Sequence, residues 1–275
     1  MPDQIAPVPA LALIGFGEAG STFARAAGWE ATARVWDVLA VRRVAMAEAG
    51  VLASENAREA LTGAPLVLSL VTADQALAVA EGYAQFLAPG ALWCDMNSVA
   101  PETKRAAAKA VEAAGGRYVD VAVLAPVDPA RMNVPLLVAG PAADEAVAEL
   151  TAAGFAQVRS VGAEVGRASA IKMIRSVMVK GIEALTAEMM LAAEAAGVVD
   201  EVLASLDAGE KAQGWADRAA YNLERMATHG VRRAAEMEEA AKTLAALGVE
   251  PVMTTGTVQR QRAMAGKPAT RSQAA

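Results

Sequence analysis

Thiol and imidazole chemistry are almost missing from this chain, whose 275 residues include one cysteine, Cys94, and one histidine, His229. A lone cysteine excludes an intramolecular disulfide framework and any multi-cysteine metal site. A lone histidine excludes a paired-histidine zinc motif, so no metal is expected. Positive charge is not in excess either: 25 basic side chains face 31 acidic ones, a formal net charge of −6. A nucleic-acid groove needs a basic face, so none is expected. No uninterrupted apolar run reaches the roughly 18 residues a membrane span requires. The longest candidate, residues 64–73, is broken by Pro65, Ser69 and Thr72. The opening MPDQIAPVPA carries an acid and early prolines but no basic cluster, so it does not read as a secretory signal. A cytoplasmic protein without a membrane partner is the expectation.

Small and aliphatic residues are what the chain has in plenty. Hydrophobic residues make up 55% of it and aromatics only 4%, so its core must be built from Ala, Val, Leu and Met. The first 160 or so residues alternate short β-branched runs with Ala-rich helical stretches. Strands are predicted over 10–15, 32–37, 66–71, 92–95, 118–123, 136–138 and 155–161. Helices are predicted between them over 21–27, 42–49, 74–86, 101–114 and 144–153. Pro101 suits a first helical turn, and Gly50 and Gly115 suit helix ends. Such alternation predicts an α/β fold, a doubly wound parallel sheet covered on both faces. Beyond about Gly162 strand signals stop and helical periodicity takes over, over 168–196, 199–206, 212–226, 231–247 and 257–264. The predicted organisation is therefore a Rossmann domain over 1–163, an all-α domain over 164–265 and a frayed tail over 266–275.

The first predicted strand runs straight into Gly15-Phe16-Gly17-Glu18-Ala19-Gly20, a GxGxxG turn followed by a helix. Gly15 would permit the tight turn, Gly17 would let the backbone approach a pyrophosphate, and Gly20 would let helix and strand pack closely. The free N–H groups at the helix start would receive the anion. The second strand ends in Asp37, placed to bind the adenosine ribose hydroxyls and to repel a 2′-phosphate. NAD is the expected cofactor. Arg42 and Arg43 keep NADP open, because an arginine there can pair with a 2′-phosphate. Ligands in such sheets lie at the carboxyl ends of the strands, which nominates Val71 and Thr72 and then Asn97 and Ser98. Thr72 and Ser98 could also serve as helix N-caps.

The helix opening the second domain carries the other chemical signal. It is mostly small and apolar, a composition expected of a buried helix. Against that background Lys172, Ser176, Lys180 and Glu183 share a face, lying within about 80° of Lys172, with Arg175 about 60° to the other side. Burial lowers the pKa of a lysine, which suits proton transfer near neutral pH. An exposed polar face with an ordinary intrahelical ion pair is the competing reading. Thr228-His229-Gly230 reads as a break between two helices, giving His229 a cap or a place at the substrate rim.

Together GFGEAG, DMNSVAP and the helix beginning GRASAIK resemble the β-hydroxyacid dehydrogenases, which include 3-hydroxyisobutyrate and 6-phosphogluconate dehydrogenases. The segments DVAVLAPV, VPLLVAG and IKMIRSVMVKGIEAL resemble a 6-phosphogluconate dehydrogenase-like branch whose C-terminal domain has no assigned function. The resemblance implies that Lys172 is the catalytic acid/base and that the Asn97-Ser98 turn meets the substrate. Two positions depart from the family's pattern. Ser176 stands where an asparagine is usual, and Leu124-Ala125-Pro126 replaces a Ser-Gly-Gly loop. These changes imply preserved hydride transfer on a bulkier or less polar substrate. Arg175 or Lys180 could hold a substrate carboxylate, Arg175 being the better clamp. The expected protein is an NAD(P)-dependent oxidoreductase of a small hydroxy acid or related alcohol, a homodimer packed through its helical domain. An imine reductase and a non-catalytic NAD(H) sensor are the alternatives.

Overall fold

The computed structural model describes residues 11–209 and 214–267, with the side chains of Lys180, Glu183, Trp215 and several others in the helices outside that description. Eight strands form one sheet: β1 (Leu11–Ile14), β2 (Ala33–Trp36), β3 (Leu52–Ala53), β4 (Leu66–Ser69), β5 (Leu92–Asp95), β6 (Arg117–Val123), β7 (Leu136–Ala139) and β8 (Val158–Ser160). Their order across the sheet is β3-β2-β1-β4-β5-β6-β7-β8. Helices α1 (Glu18–Ala27), α2 (Arg42–Glu48), α3 (Ala57–Leu61), α4 (Ala76–Tyr83), α5 (Pro101–Ala113), α6 (Val127–Ala130) and α7 (Ala143–Ala152) lie between the strands in sequence. This is a Rossmann fold.

Buried strands that pack on both faces read as continuous apolar runs, and β1 shows why. Leu11 and Leu13 join one hydrophobic cluster with Phe23, Val35 and Phe155. Ala12 and Ile14, pointing the other way, join a second with Val67, Trp93 and Tyr118. Burying each large aliphatic side chain contributes about 1.5–3 kcal/mol. The aromatics, few as they are, cluster. The rings of Phe23 and Phe155 meet edge to face at 5.0 Å, and Trp29 Nε1 donates to Ala153 O at 2.9 Å.

The sheet departs from the expected all-parallel arrangement at one pairing, beyond which β7 and β8, parallel to each other, run against the other six strands. β7 runs antiparallel to β6, with Asp120 opposite Ala139 and Val123 opposite Leu136. The connection between them is a short return through α6 and a single 3₁₀ turn at Arg131–Asn133, too short for a crossover back to a parallel start. Periodicity does not encode strand direction, so the sequence could not reveal this. The short β3 and α3 were not predicted either. β8 is also shorter than the run predicted for it, since Phe155 is buried in the core ahead of the strand.

The remaining helices are α8 (Arg167–Ala196), α9 (Val199–Gly209), α10 (Trp215–Ala246) and α11 (Val252–Met264). The chain separates into two compact units, one up to Arg175 and one from Ser176 on, so the division falls within α8. Two expectations fail here. The predicted break at Thr228-His229-Gly230 is absent, and α10 runs through it unbroken. Gly230 is a packing residue: a Cβ there would meet Gln261 O of α11 at 2.4 Å. His229 is thus mid-helix and caps nothing. α8 is also not the buried helix its composition suggests, since Ile174 is 73% exposed and Ile182, Leu185 and Leu191 are exposed with it. No helix among the described residues is long and apolar enough to cross a membrane.

In the second unit Glu188 of α8 holds the start of α11. Its carboxylate accepts the N–H of Met253 at 2.7 Å, the N–H of Thr254 at 2.9 Å and the Thr254 hydroxyl at 2.6 Å. Burial pushes its pKa up, but the Thr254 hydroxyl and these amides outweigh that and hold it below the ordinary glutamate value.

Candidate functional site

The glycine turn after β1 is built by contacts that admit no side chain. Gly15 has φ +96°, and a Cβ on it would lie 2.4 Å from Leu70 O. A Cβ on Gly20 would lie 2.5 Å from Gly15 O. Gly17 is different. A Cβ there would meet nothing within 4 Å, so its bare backbone faces open space. It is also the N-cap of α1 and makes no side-chain cap, which leaves the first amides of the helix without an intrahelical acceptor.

A cleft of ≈ 460 Å³ opens over this turn. Gly15, Gly17, Glu18 and Ala19 form one side of it, Asp37 a second, and Val71 and Thr72 a third. Of the residues nominated from the motif, Phe16 and Gly20 lie beneath it, both buried. Phe16 contributes its backbone N–H, which donates to Asp37 Oδ2 at 2.7 Å, while Leu39 N–H donates to Oδ1 at 2.8 Å. Each carboxylate oxygen therefore keeps a lone pair for another donor. The two arginines after β2 separate. Arg43 is paired with Glu55 at 3.2 Å, whereas Arg42 lines the cleft.

Among the cleft residues that escaped the sequence reading are Gln75, Val79 and Tyr83. They recur every fourth residue from the start of α4, so helical spacing on the segment after Thr72 was the signal that could have found them.

The residues fit a dinucleotide. The open side of Gly17, the uncapped helix start and the remaining acceptors of Asp37 match a pyrophosphate and a ribose diol. Asn97, the other residue nominated for the cofactor, is not among the residues lining the cleft. It is buried, its N–H donates to Asp95 Oδ1 at 2.9 Å and its Nδ2 donates to Ser69 Oγ at 3.1 Å, yet its Oδ1 has no partner.

Beyond β5 the structure brings Ser98 and Lys172 together: Lys172 Nζ donates to Ser98 Oγ at 2.5 Å. They lie 74 residues apart in sequence. Ser98 is exposed and Lys172 half-buried. Neither Thr72 nor Ser98 caps a helix, because α4 opens after Gln75 and α5 after Ala100. Arg175 Nη1 donates to Leu124 O at 3.2 Å, tying α8 to the loop after β6 and leaving its other N–H groups for a ligand. Ser176 is half-buried on the next position of α8 and belongs to the second compact unit. The Lys180 side chain lies outside the described residues.

Under this site is a charged group that the sequence reading missed. Lys104 of α5 is fully buried, with its Nζ 2.6 Å from Asp95 O, 3.0 Å from Asp95 Oδ1 and 3.5 Å from Asp120 Oδ1. The Tyr118 hydroxyl donates to Asp95 Oδ2 at 2.6 Å. Burial first, then the charge of Asp95, drive the Tyr118 phenol far up, so it stays a donor. Burial and Asp95 also push the neighbouring Cys94 thiol up to about 12, leaving it an unreactive core residue. The available signal was an aspartate in each of two apolar strands and a lysine among the alanines of α5.

Residues 10–162 match the family described as the NAD binding domain of 6-phosphogluconate dehydrogenase. Residues 193–264 match a domain of unknown function, DUF1932. Among solved structures, a conserved hypothetical protein from Sinorhizobium meliloti 1021 is 38% identical over 93% of this chain and 88% of its own, with a TM-score of 0.62. A conserved protein of unknown function, described as structurally similar to 3-hydroxyacid dehydrogenases, is 28% identical over 92% of this chain and 96% of its own, with a TM-score of 0.59. An imine reductase from Myxococcus stipitatus, solved with NADP⁺, is 18% identical over 93% of both chains, with a TM-score of 0.77. That last likeness is one of fold.

Proposed function

Because the chain belongs to the family of the NAD binding domain of 6-phosphogluconate dehydrogenase, we propose that it is an oxidoreductase acting at the CH–OH or C=O carbon of a small hydroxy acid or related alcohol. The observation that carries this reading is the 2.5 Å hydrogen bond between Lys172 Nζ and Ser98 Oγ. It places an amine and a hydroxyl at the carboxyl end of β5, the strand beside β4, whose end leads into the cleft residues Val71 and Thr72. Bound nicotinamide supplies the hydride donor or acceptor.

The protein's own residues then have distinct tasks. Gly17 and the first amides of α1 hold the pyrophosphate, and Asp37 holds the ribose hydroxyls. Lys172 Nζ takes the hydroxyl proton when an alcohol is oxidised and returns it to the carbonyl oxygen on reduction. Ser98, accepting from Lys172, keeps its own O–H for the substrate oxygen and so fixes that oxygen beside Lys172 Nζ. Arg175 pairs with a substrate carboxylate while its Nη1 stays on Leu124 O. With Leu124, Ala125 and Pro126 in that loop, the remaining wall is apolar, which favours a substrate with a hydrocarbon portion.

NAD is the proposed preference. Asp37 places a negative charge at the ribose, and of the two following arginines only Arg42 reaches the cleft. The protein is proposed to be a homodimer, because Ile174, Ile182, Leu185 and Leu191 of α8 leave a large apolar surface exposed in the single chain.

The test is nicotinamide reduction and oxidation, with NAD(H) and NADP(H), across hydroxy acids, their oxo acids, alcohols and cyclic imines. Lys172→Ala is run in parallel. Turnover of a hydroxy or oxo acid that Lys172→Ala abolishes supports the proposal. Turnover of imines alone, or a Lys172→Ala variant as active as the parent, overturns it.

A further inference from the structure

Lys104 and its two aspartates take no part in the steps above, and no helix or strand needs a buried charge cluster to form. Apart from the Tyr118 hydroxyl on Asp95, their hydrogen bonds lead to the candidate site. Asp95 ends β5, and its Oδ1 accepts both Lys104 Nζ at 3.0 Å and the N–H of Asn97 at 2.9 Å, the residue before Ser98. Lys104 Nζ also donates to Asp95 O at 2.6 Å, so the strand end is held by backbone and side chain together.

Asp120 does the corresponding work on the other partner. Its Oδ2 accepts the N–H of Gly166 at 3.1 Å and the N–H of Ser169 at 3.0 Å. These amides bracket the first turn of α8, where an acceptor and a negative charge are both favourable. Gly166 is itself confined, with φ +98° and a hypothetical Cβ 2.5 Å from Arg105 Nη1. Lys172 follows six residues later, about 9 Å along the helix. The position of Nζ is therefore set by the anchor at Asp120, as the position of Ser98 is set by the anchor at Asp95.

We propose that Lys104 is a positioning residue: bridging Asp95 and Asp120, it sets the Ser98 turn and the start of α8 in the one arrangement that brings Ser98 Oγ to Lys172 Nζ. The charges explain why a lysine serves here. Two buried carboxylates repel, and an ammonium between them reverses the sign of that interaction and draws the two anchors together. An apolar residue of equal length would fill the space and leave the anchors pushing apart.

This inference rests on the reading of Lys172 and Ser98 as the reacting pair, so its test uses a readout other than turnover. Lysines are labelled with trace acetic anhydride across a pH series, and the Lys172 rate is measured by peptide mass spectrometry. Lys109, exposed on α5 beside Lys104, is the internal reference for general loosening. Ser98→Ala removes the Ser98 hydroxyl that accepts from Lys172. It is expected to raise the Lys172-to-Lys109 ratio about fivefold, the population change carried by one net hydrogen bond.

Lys104→Met, folded by circular dichroism, is expected to raise the ratio by a similar factor. Combining it with Ser98→Ala is expected to add little, because both act on one interaction. If Lys104→Met does not fold, Asp120→Asn takes its place. It keeps an oxygen for the helix amides, removes one carboxylate from the bridge, and is expected to change the ratio in the same direction. A folded Lys104→Met, or Asp120→Asn in its stead, that leaves the ratio at the parent value overturns the proposal. So does a ratio that Ser98→Ala leaves unchanged. A protein that turns over nothing in the substrate panel but shows the expected ratios overturns the proposed reaction and leaves the positioning role standing.

Discussion

The two compact units solve the problem of apolar surface in opposite ways. In the first, Leu13, Val67, Trp93 and Phe155 are all 0% exposed, and even a lysine, Lys104, is sealed inside. In the second, the buried hydrophobic residues among those described are Ala192, Ala193, Ala234 and Val258, while Met178, Leu185 and Leu191 stand exposed. A sheet covered on both faces closes its own core within one chain. Long helices with apolar residues spread around them do not, and they require another surface. The candidate site falls on the self-sufficient side: the cleft, Ser98, Lys172 and the charge cluster all lie at or before Arg175.

That contrast can be broken by substitution. The largest effect is expected at Lys172. Lys172→Ala should lower kcat by about 10²–10⁴-fold with cofactor affinity unchanged, measured by steady-state kinetics and cofactor titration. Next is Leu13→Ala in the first unit, expected to cost about 3 kcal/mol in denaturant unfolding, against about 0.5 kcal/mol or less for a matched Leu191→Ala in the monomer. Equal costs would show that the second unit has a core of its own. Gly17→Ala should preserve the melting temperature, since a Cβ there meets nothing within 4 Å, but weaken cofactor binding about tenfold. Gly15→Ala, with Leu70 O only 2.4 Å away, should lose the fold before it loses affinity.

The smallest effect sharpens the account of the second unit. The folded-state pKa of Glu188 is lowered from 4.5, so its stabilisation is complete above that pH and disappears as pH falls through the lowered value. Glu188→Gln should cost about 1–2 kcal/mol at neutral pH and flatten that unit's acid unfolding below pH 4.5, followed by helical circular dichroism.

Much of this was legible in the sequence where one residue type has one physical use. The glycine turn, Asp37 and the first two strands follow from such residues, and so do Ser98 and Lys172 as separate candidates. Their juxtaposition across 74 residues was implied by family resemblance alone. Relations between segments were what the sequence hid. The antiparallel β7, the continuity of α10 through Gly230 and the bridge from Asp95 through Lys104 to Asp120 each depend on a distant partner. Gly230 shows the limit plainly. A glycine between histidine and valine looks like a helix end, and only α11 packed against it shows that it is a contact.

The reversal at β7 has one more consequence. A parallel connection would have carried the chain from the end of β6 back across the sheet, so altering it would disturb the packing of a helix. Here the chain turns back within residues 124–135 and re-enters the sheet beside the strand it left, with Leu124 N–H donating to Pro135 O at 3.0 Å across the neck. That loop is pinned at its neck and anchored inside: Met132 and Val134 are buried in the cluster that holds Phe23 and Phe155, while Pro126, Asp128 and Arg131 stand exposed. Changes confined to those exposed positions would leave the core, the glycine turn and the Lys172–Ser98 hydrogen bond in place.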